Sequence, residues 1–161
     1  MTTVDEAQRA RIDVDAAAPG FMRAMARLDQ AATAALDGVD FDVRLRELVR
    51  IRASQLNGCA YCIDMHSKDA RSAGETEQRI YALPAWRETP FFTARERAAL
   101  ALTESVTLLP QTHVPAAEFA HAADEFSPAE LGALISLIVT INAWNAIGVS
   151  TRAWLPGSYQ P

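Results

Sequence analysis

Residues 127–151 read SPAELGALISLIVTINAWNAIGVST. Ser127 and Glu130 stand three apart, a pattern in which hydroxyl and carboxylate satisfy each other's backbone N–H donors, and Pro128 between them suits the first helical position. This is a strong helix start, and no charged residue follows from Leu131 to Thr151. A helix of that length can cross a bilayer. Ser136, Thr140, Asn142 and Asn145 would then face hydrocarbon, and the rest of the chain has the amphipathic spacing of a water-exposed bundle. The stretch therefore reads as a central or subunit-interface helix packed by several neighbours, which favours a homo-oligomer and no membrane.

Upstream, apolar residues recur at spacings of three and four, and no segment alternates convincingly over strand length, so the fold class is all-α. A helix is expected after Pro19-Gly20, with Phe21, Met25, Leu28, Ala32 and Leu36 on its buried stripe and Asp37-Gly38 at its end. A second starts near Asp42, carries Leu45, Leu48, Val49, Arg52 and Leu56, and breaks at Asn57-Gly58. A third starts at the cysteines and runs to about Ser72, with Gly74 as terminator. Beyond Pro84 a loop is expected through Trp86 to Pro90. A capping box at Thr93 and Glu96 then opens a helix to about Leu109, stopped by Pro110, and a shorter helix covers about Pro115 to Phe126. The whole chain, 1–161, reads as a single domain with residues 1–15 loosely held.

Half of the 161 residues are hydrophobic, 22% are charged, and the seven glycines and eight prolines are too few for a disordered or fibrous chain. The formal net charge of -5 offers no field for phosphate backbones or anionic lipid, so nucleic acid is not an expected partner. The opening Met1-Thr2-Thr3-Val4-Asp5-Glu6 lacks the basic start and apolar run of a secretory signal, and the expected compartment is cytoplasmic.

Cys59 and Cys62 are the two cysteines of the sequence. A bridge over so short a loop would stabilise the fold by roughly 2 kcal/mol, against about 4.7 for a 100-residue loop, so stability is a poor reason for the pair and chemistry a better one. On a helix the cysteines are i and i+3, and His66 is i+4 from Cys62, so all three share a face. Amide groups at a helix start favour thiolate. That cue points to Cys59, nearer the N-terminus, whereas an adjacent base points to Cys62. Cys62 is favoured as nucleophile because its proton needs an acceptor and His66 sits one turn away. Glu47, on one stripe with Ile51 and Ser54, could raise the basicity of His66 and fix its tautomer. It also lies among Arg44, Arg46, Arg50 and Arg52, where surface ion pairing is the plain alternative.

The run from Glu47 to His66, ELVRIRASQLNGCAYCIDMH, resembles the signature of the AhpD-like alkylhydroperoxidases, a branch of the carboxymuconolactone decarboxylase-like superfamily. The likeness is strong over about residues 40–75, and the helical pattern through Thr151, with Ile141-Asn142-Ala143-Trp144-Asn145, is similar too. The resemblance implies a compact helical bundle that reduces hydroperoxides. Glu47 and His66 would relay protons, Cys59 would be the proton-donating and resolving thiol, and Cys62 would pass through a sulfenic acid. It also implies an organic hydroperoxide or hydrogen peroxide as substrate, a dithiol reductant such as a lipoyl-bearing protein, and trimers or hexamers. Tyr61 stands where some members carry histidine. The decarboxylase branch lacks the cysteine pair, which disfavours lactone decarboxylation.

No cofactor or metal is expected. The rival reading is a zinc-binding or non-catalytic redox-sensing protein, since two thiolates, an imidazole and a carboxylate could form a tetrahedron. A second ligand pair from elsewhere could draw only on His113 and His121, both expected at the surface. A thioredoxin-like oxidoreductase is weaker because its motif belongs near a βαβ pattern. Trp86, Trp144, Trp154, Phe91 and Phe92 are expected as core or interface aromatics. Asn142 and Asn145 need polar partners and would either fix subunit register or line a pocket.

Overall fold

The computed structural model describes residues 9–161. In chain order these form α1 (Val14–Ala17), α2 (Pro19–Asp37), α3 (Val43–Asn57), α4 (Ala60–Ser72), α5 (Glu77–Ala82), a 3-10 segment (Leu83–Glu88), α6 (Ala94–Thr107), α7 (Leu109–Thr112), α8 (Ala116–Glu125) and α9 (Pro128–Thr151). No strand occurs among the described residues, and the all-α reading holds.

The helix starts follow from local chemistry. The Asp42 carboxylate accepts from the Leu45 N–H at 3.0 Å, and both expected capping boxes, Thr93 with Glu96 and Ser127 with Glu130, are formed. Helix α9 packs across α2, α3 and α6. Leu134, Leu137 and Ile138 of α9 meet Leu45 and Val49 of α3 and Leu102 of α6 in the main core. Each such side chain contributes about 1.5–3 kcal/mol by leaving water. A second cluster uses another side of α3, where Leu48 and Ile51 pack with Ala70 of α4, Leu83, Trp86 and Leu100. Helix α3 is thus enclosed on two sides, and a charged residue on it is drawn into the interior.

Three expectations change. On α2 the buried residues are Met22, Met25, Ala32 and Leu36, while Phe21 and Leu28 are 55% and 43% exposed. The helix is turned toward Met22, and Phe21 and Leu28 lie on the outer face. The stretch beyond Pro84, expected as a loop, is the 3-10 segment, with Pro84 in its first turn and Trp86 buried. Of the N-terminal residues expected to be loosely held, 1–8 lie outside the described residues. Arg11 is tied down: its backbone N–H donates to Thr151 O at 2.8 Å and its guanidinium to Ser150 O at 3.2 Å.

Candidate active site

The site forms where the turn between α3 and α4 meets α9. Gly58 follows Asn57 in the left-handed conformation, φ 68°, which costs glycine little and reverses the chain. Cys59 thereby becomes the N-cap residue of α4, its N–H donating to Ser54 O at 2.9 Å, and Cys62 lies in the helix's first turn. The two cysteines are joined in a disulfide with Cα atoms 5.3 Å apart, and both are buried. The amides opening α4 place partial positive charge beside both sulfurs, which favours thiolate on reduction.

Glu47 faces α4 from the body of α3 and is 4% exposed, so the surface ion-pair alternative does not describe it. Its Oε2 accepts from His66 Nδ1 at 2.9 Å and its Oε1 accepts from Arg50. Burial pushes the Glu47 carboxyl up, but the His66 hydrogen bond and the Arg50 charge outweigh it and hold the group below its ordinary value of 4.5. An ionised carboxylate only accepts, so the imidazole proton sits on Nδ1 and Nε2 is left as the basic atom. Asp69 Oδ2 lies 3.8 Å from the same Nδ1.

Two cavities flank the disulfide. One, of about 320 Å³, has Cys62, His66 and Arg50 in its wall, facing Leu137, Ile141 and Trp144. The other, of about 550 Å³, is lined by Cys59 and not Cys62. Tyr61 and Trp154 stand in both walls, with ring centroids 5.8 Å apart. Trp144 and Trp154 are therefore site-lining residues as well as packed aromatics, whereas Trp86 and Phe92 are core.

Helix α9 clamps the turn. Asn57 Nδ2 donates to Asn142 Oδ1 at 2.7 Å and to Asn145 Oδ1 at 3.0 Å, and Asn145 Nδ2 donates to Ser54 Oγ at 3.0 Å. The two asparagines thus fix α9 to the last turn of α3 within one chain. Gly148 leaves room for sulfur, since a Cβ there would lie 3.2 Å from Cys59 Sγ. The C-terminal segment crosses α4: Tyr159 Oη donates to Asp69 Oδ1 at 2.7 Å, Lys68 Nζ to Tyr159 O at 2.9 Å, and Gly157 N–H to Asp64 Oδ2 at 2.9 Å. These bonds hold down the segment that carries Trp154.

All four residues expected from the sequence, Glu47, Cys59, Cys62 and His66, meet here. Gly148, Trp154 and Tyr159 were not singled out as site residues. Glycine within a long apolar helix is a signal for the first, but α9 carries it at Gly132 as well as Gly148. A metal is poorly served in this arrangement. Donor atoms of Glu47, His66 and Asp69 lie within 4.8 Å of one another, but both Glu47 oxygens already accept from Arg50 and His66, and the two sulfurs are bonded to each other. His113 and His121 are exposed.

The carboxymuconolactone decarboxylase family profile matches residues 19–105, which include all four of these residues. The chain belongs to that family. Another protein similar to this chain is the uncharacterized YdfG of Bacillus subtilis (strain 168), 48% identical over 105 residues that make up 65% of this chain and 71% of YdfG. The uncharacterized YnjA of Escherichia coli (strain K12) is 33% identical over 98 residues, 60% of this chain and 54% of YnjA, so the match spans about half of that relative. Among solved structures, a protein of unknown function from Agrobacterium tumefaciens, described as a candidate antioxidant defence protein AhpD, superposes with a TM-score of 0.85 and 34% identity, covering 92% of this chain and 99% of its own. The debrominase Bmp8 superposes with a TM-score of 0.74 at 19% identity, over 88% and 74% of the two chains, a likeness of fold alone. This carboxymuconolactone decarboxylase family member is AhpD-like and all-α.

Proposed function

We propose that this chain is a thiol-dependent peroxidase that reduces an organic hydroperoxide or hydrogen peroxide through Cys62 and Cys59, with Glu47 and His66 as proton relay. The observation that carries the reading is the Glu47 Oε2 to His66 Nδ1 hydrogen bond of 2.9 Å, with His66 and Cys62 in the wall of one cavity.

In the reduced protein, His66 Nε2 takes the Cys62 thiol proton and Glu47 stabilises the resulting imidazolium. The Cys62 thiolate attacks the distal peroxide oxygen, the O–O bond breaks, and the departing alkoxide or hydroxide takes the proton from His66. Cys62 is left as a sulfenic acid. Cys59 sulfur then attacks the sulfenic sulfur, its proton leaves with the hydroxyl as water, and the disulfide forms. Residues i and i+3 of a helix start lie within disulfide range, so this closure needs no rearrangement of the backbone. A dithiol reductant, such as a lipoyl-bearing protein, returns two electrons and two protons.

The same reading puts the protein in the cytoplasm, where thiols are kept reduced, and makes it a homo-oligomer, trimer or hexamer, for which the exposed Phe21 and Leu28 of α2 offer an apolar surface. The test is a count of free thiols in chelator-treated, reduced protein before and after one equivalent of cumene hydroperoxide, with Cys62→Ser alongside. Rapid loss of both thiols in the parent and none in the variant is expected. Thiols that ignore the peroxide would overturn the proposal and bring zinc content forward.

A further inference from the structure

Resting on the peroxidase reading, we propose that the cavity on the Cys59 side is the docking site of the reducing thiol, which attacks Cys59 Sγ and so enters by a different mouth from the peroxide. The dithiol lies between two spaces that share only Tyr61 and Trp154, with Cys59 in one wall and Cys62 in the other. A thiolate displaces sulfur from a disulfide along the S–S axis, approaching the attacked sulfur from the side away from its partner. The cavity beside each sulfur therefore decides which one is attacked.

Size and charge both favour the Cys59 side. That cavity is the larger, about 550 Å³ against about 320 Å³, and Arg11 is in its described lining. The Cys62 side presents Asp29 and Asp69 as well as Arg50. A thiolate, particularly one with a carboxylate near its sulfur or borne on an acidic protein surface, is drawn to the first and opposed by the carboxylates of the second. Gly148 widens the Cys59 side at the sulfur itself, where any Cβ would come within 3.2 Å of Sγ and 3.6 Å of the Trp154 ring.

The chemistry closes on the correct product. The incoming thiolate bonds to Cys59 Sγ, the S–S bond breaks, and its electron pair leaves on Cys62. The thiolate is thereby released beside His66, where the peroxide arrives. The reductant's second thiol attacks its own sulfur in the mixed disulfide and releases Cys59, which takes the proton. Attack on Cys62 instead would leave the reductant bonded to the sulfur that must meet the peroxide.

The deciding test, a labelling experiment, needs no peroxide. The full chain, oxidised with diamide, is exposed briefly to excess 3-mercaptopropionate, quenched with N-ethylmaleimide and mapped by peptide mass spectrometry. Mercaptopropionate on Cys59 with maleimide on Cys62 is expected, and the reverse labelling or an even split overturns the proposal. Gly148→Ala should slow reduction by dithiothreitol about tenfold, more than it slows oxidation by hydroperoxide. An equal effect on both half-reactions counts against the site. Arg11 is exposed, so Arg11→Glu tests the charge without touching the core. It should lower the rate ratio of 3-mercaptopropionate to cysteamine about threefold at low salt, and an unchanged ratio rejects the electrostatic part. Because the labelling pattern is independent of peroxide turnover, failure of the docking site and failure of the peroxidase reading give different results.

Discussion

Replacing Glu47 with glutamine keeps the shape of a buried side chain and removes its charge. The carboxylate has two donors to satisfy, His66 Nδ1 at 2.9 Å and Arg50, one at each oxygen. Glutamine has one acceptor oxygen, so its NH2 group must face an N–H and one buried donor is left unpaired. That costs about 1–3 kcal/mol of stability. Hydrogen bonds to charged groups are worth about 1.5–3 kcal/mol, and if the His66 bond is the one lost from the transition state, thiol oxidation slows about tenfold to about a hundred-and-fiftyfold. The pH dependence has a definite sign. The folded carboxyl is held below its ordinary 4.5, so its contribution is fully present above that value and is lost as the pH falls through the lower folded one. The stability gap between parent and Glu47→Gln should therefore be widest near neutrality and narrow on acidification. The assay is stopped-flow loss of free thiols with cumene hydroperoxide, beside thermal unfolding at neutral and acid pH. A folded Glu47→Gln protein oxidised within about twofold of the parent rate would refute the relay.

Asn145 is fully buried, and Asn145→Leu removes its bonds to Asn57 and Ser54. It should cost about 1–3 kcal/mol in urea unfolding and slow thiol oxidation, whereas unchanged oxidation at reduced stability would make the clamp purely structural. The Tyr159 hydroxyl is pushed up to about 12 by its hydrogen bond to Asp69. Its contribution is thus present below the ordinary 10.0 and is lost as the pH climbs through about 12. Tyr159→Phe should loosen the C-terminal segment already at neutral pH, at a cost of about 1 kcal/mol or less, read by limited proteolysis. Phe21→Asp places a charge on the outer apolar face of α2 and should lower the sedimenting mass if that face joins protomers; an unchanged mass removes α2 from the interface.

The parts of the molecule legible in the sequence were those fixed by short-range chemistry. Ser127 and Glu130, Thr93 and Glu96, and Gly58 each determine a helix end within four residues. The spacing of Glu47, Cys59, Cys62 and His66 survives folding because two helices joined by one tight turn carry it. On α2, Phe21 and Met22 are neighbours that point about 100° apart, so a modest turn of the helix about its axis decides which of them is buried, and the spacing of apolar residues does not fix that turn. Trp86 sits in a short 3-10 segment that periodicity cannot register. Tyr159 meets Asp69 across 90 residues, and the partners of Asn142 and Asn145 are as remote. The need of those asparagines for polar partners could be read, but not the turn that supplies them.

The clamp between α9 and the α3–α4 turn also orders the steps of biosynthesis. The ribosome produces Cys59 and Cys62 some eighty residues before Asn142 and Asn145, and domains complete their packing as units once their chain is available. During that interval the nascent thiols have neither the helix that encloses them nor the wall that separates their two approaches. On the proposed two-sided scheme the dithiol acquires its selectivity only when the last helix docks, and a chain stalled before α9 would present two unguarded thiols to whatever oxidant or disulfide is at hand.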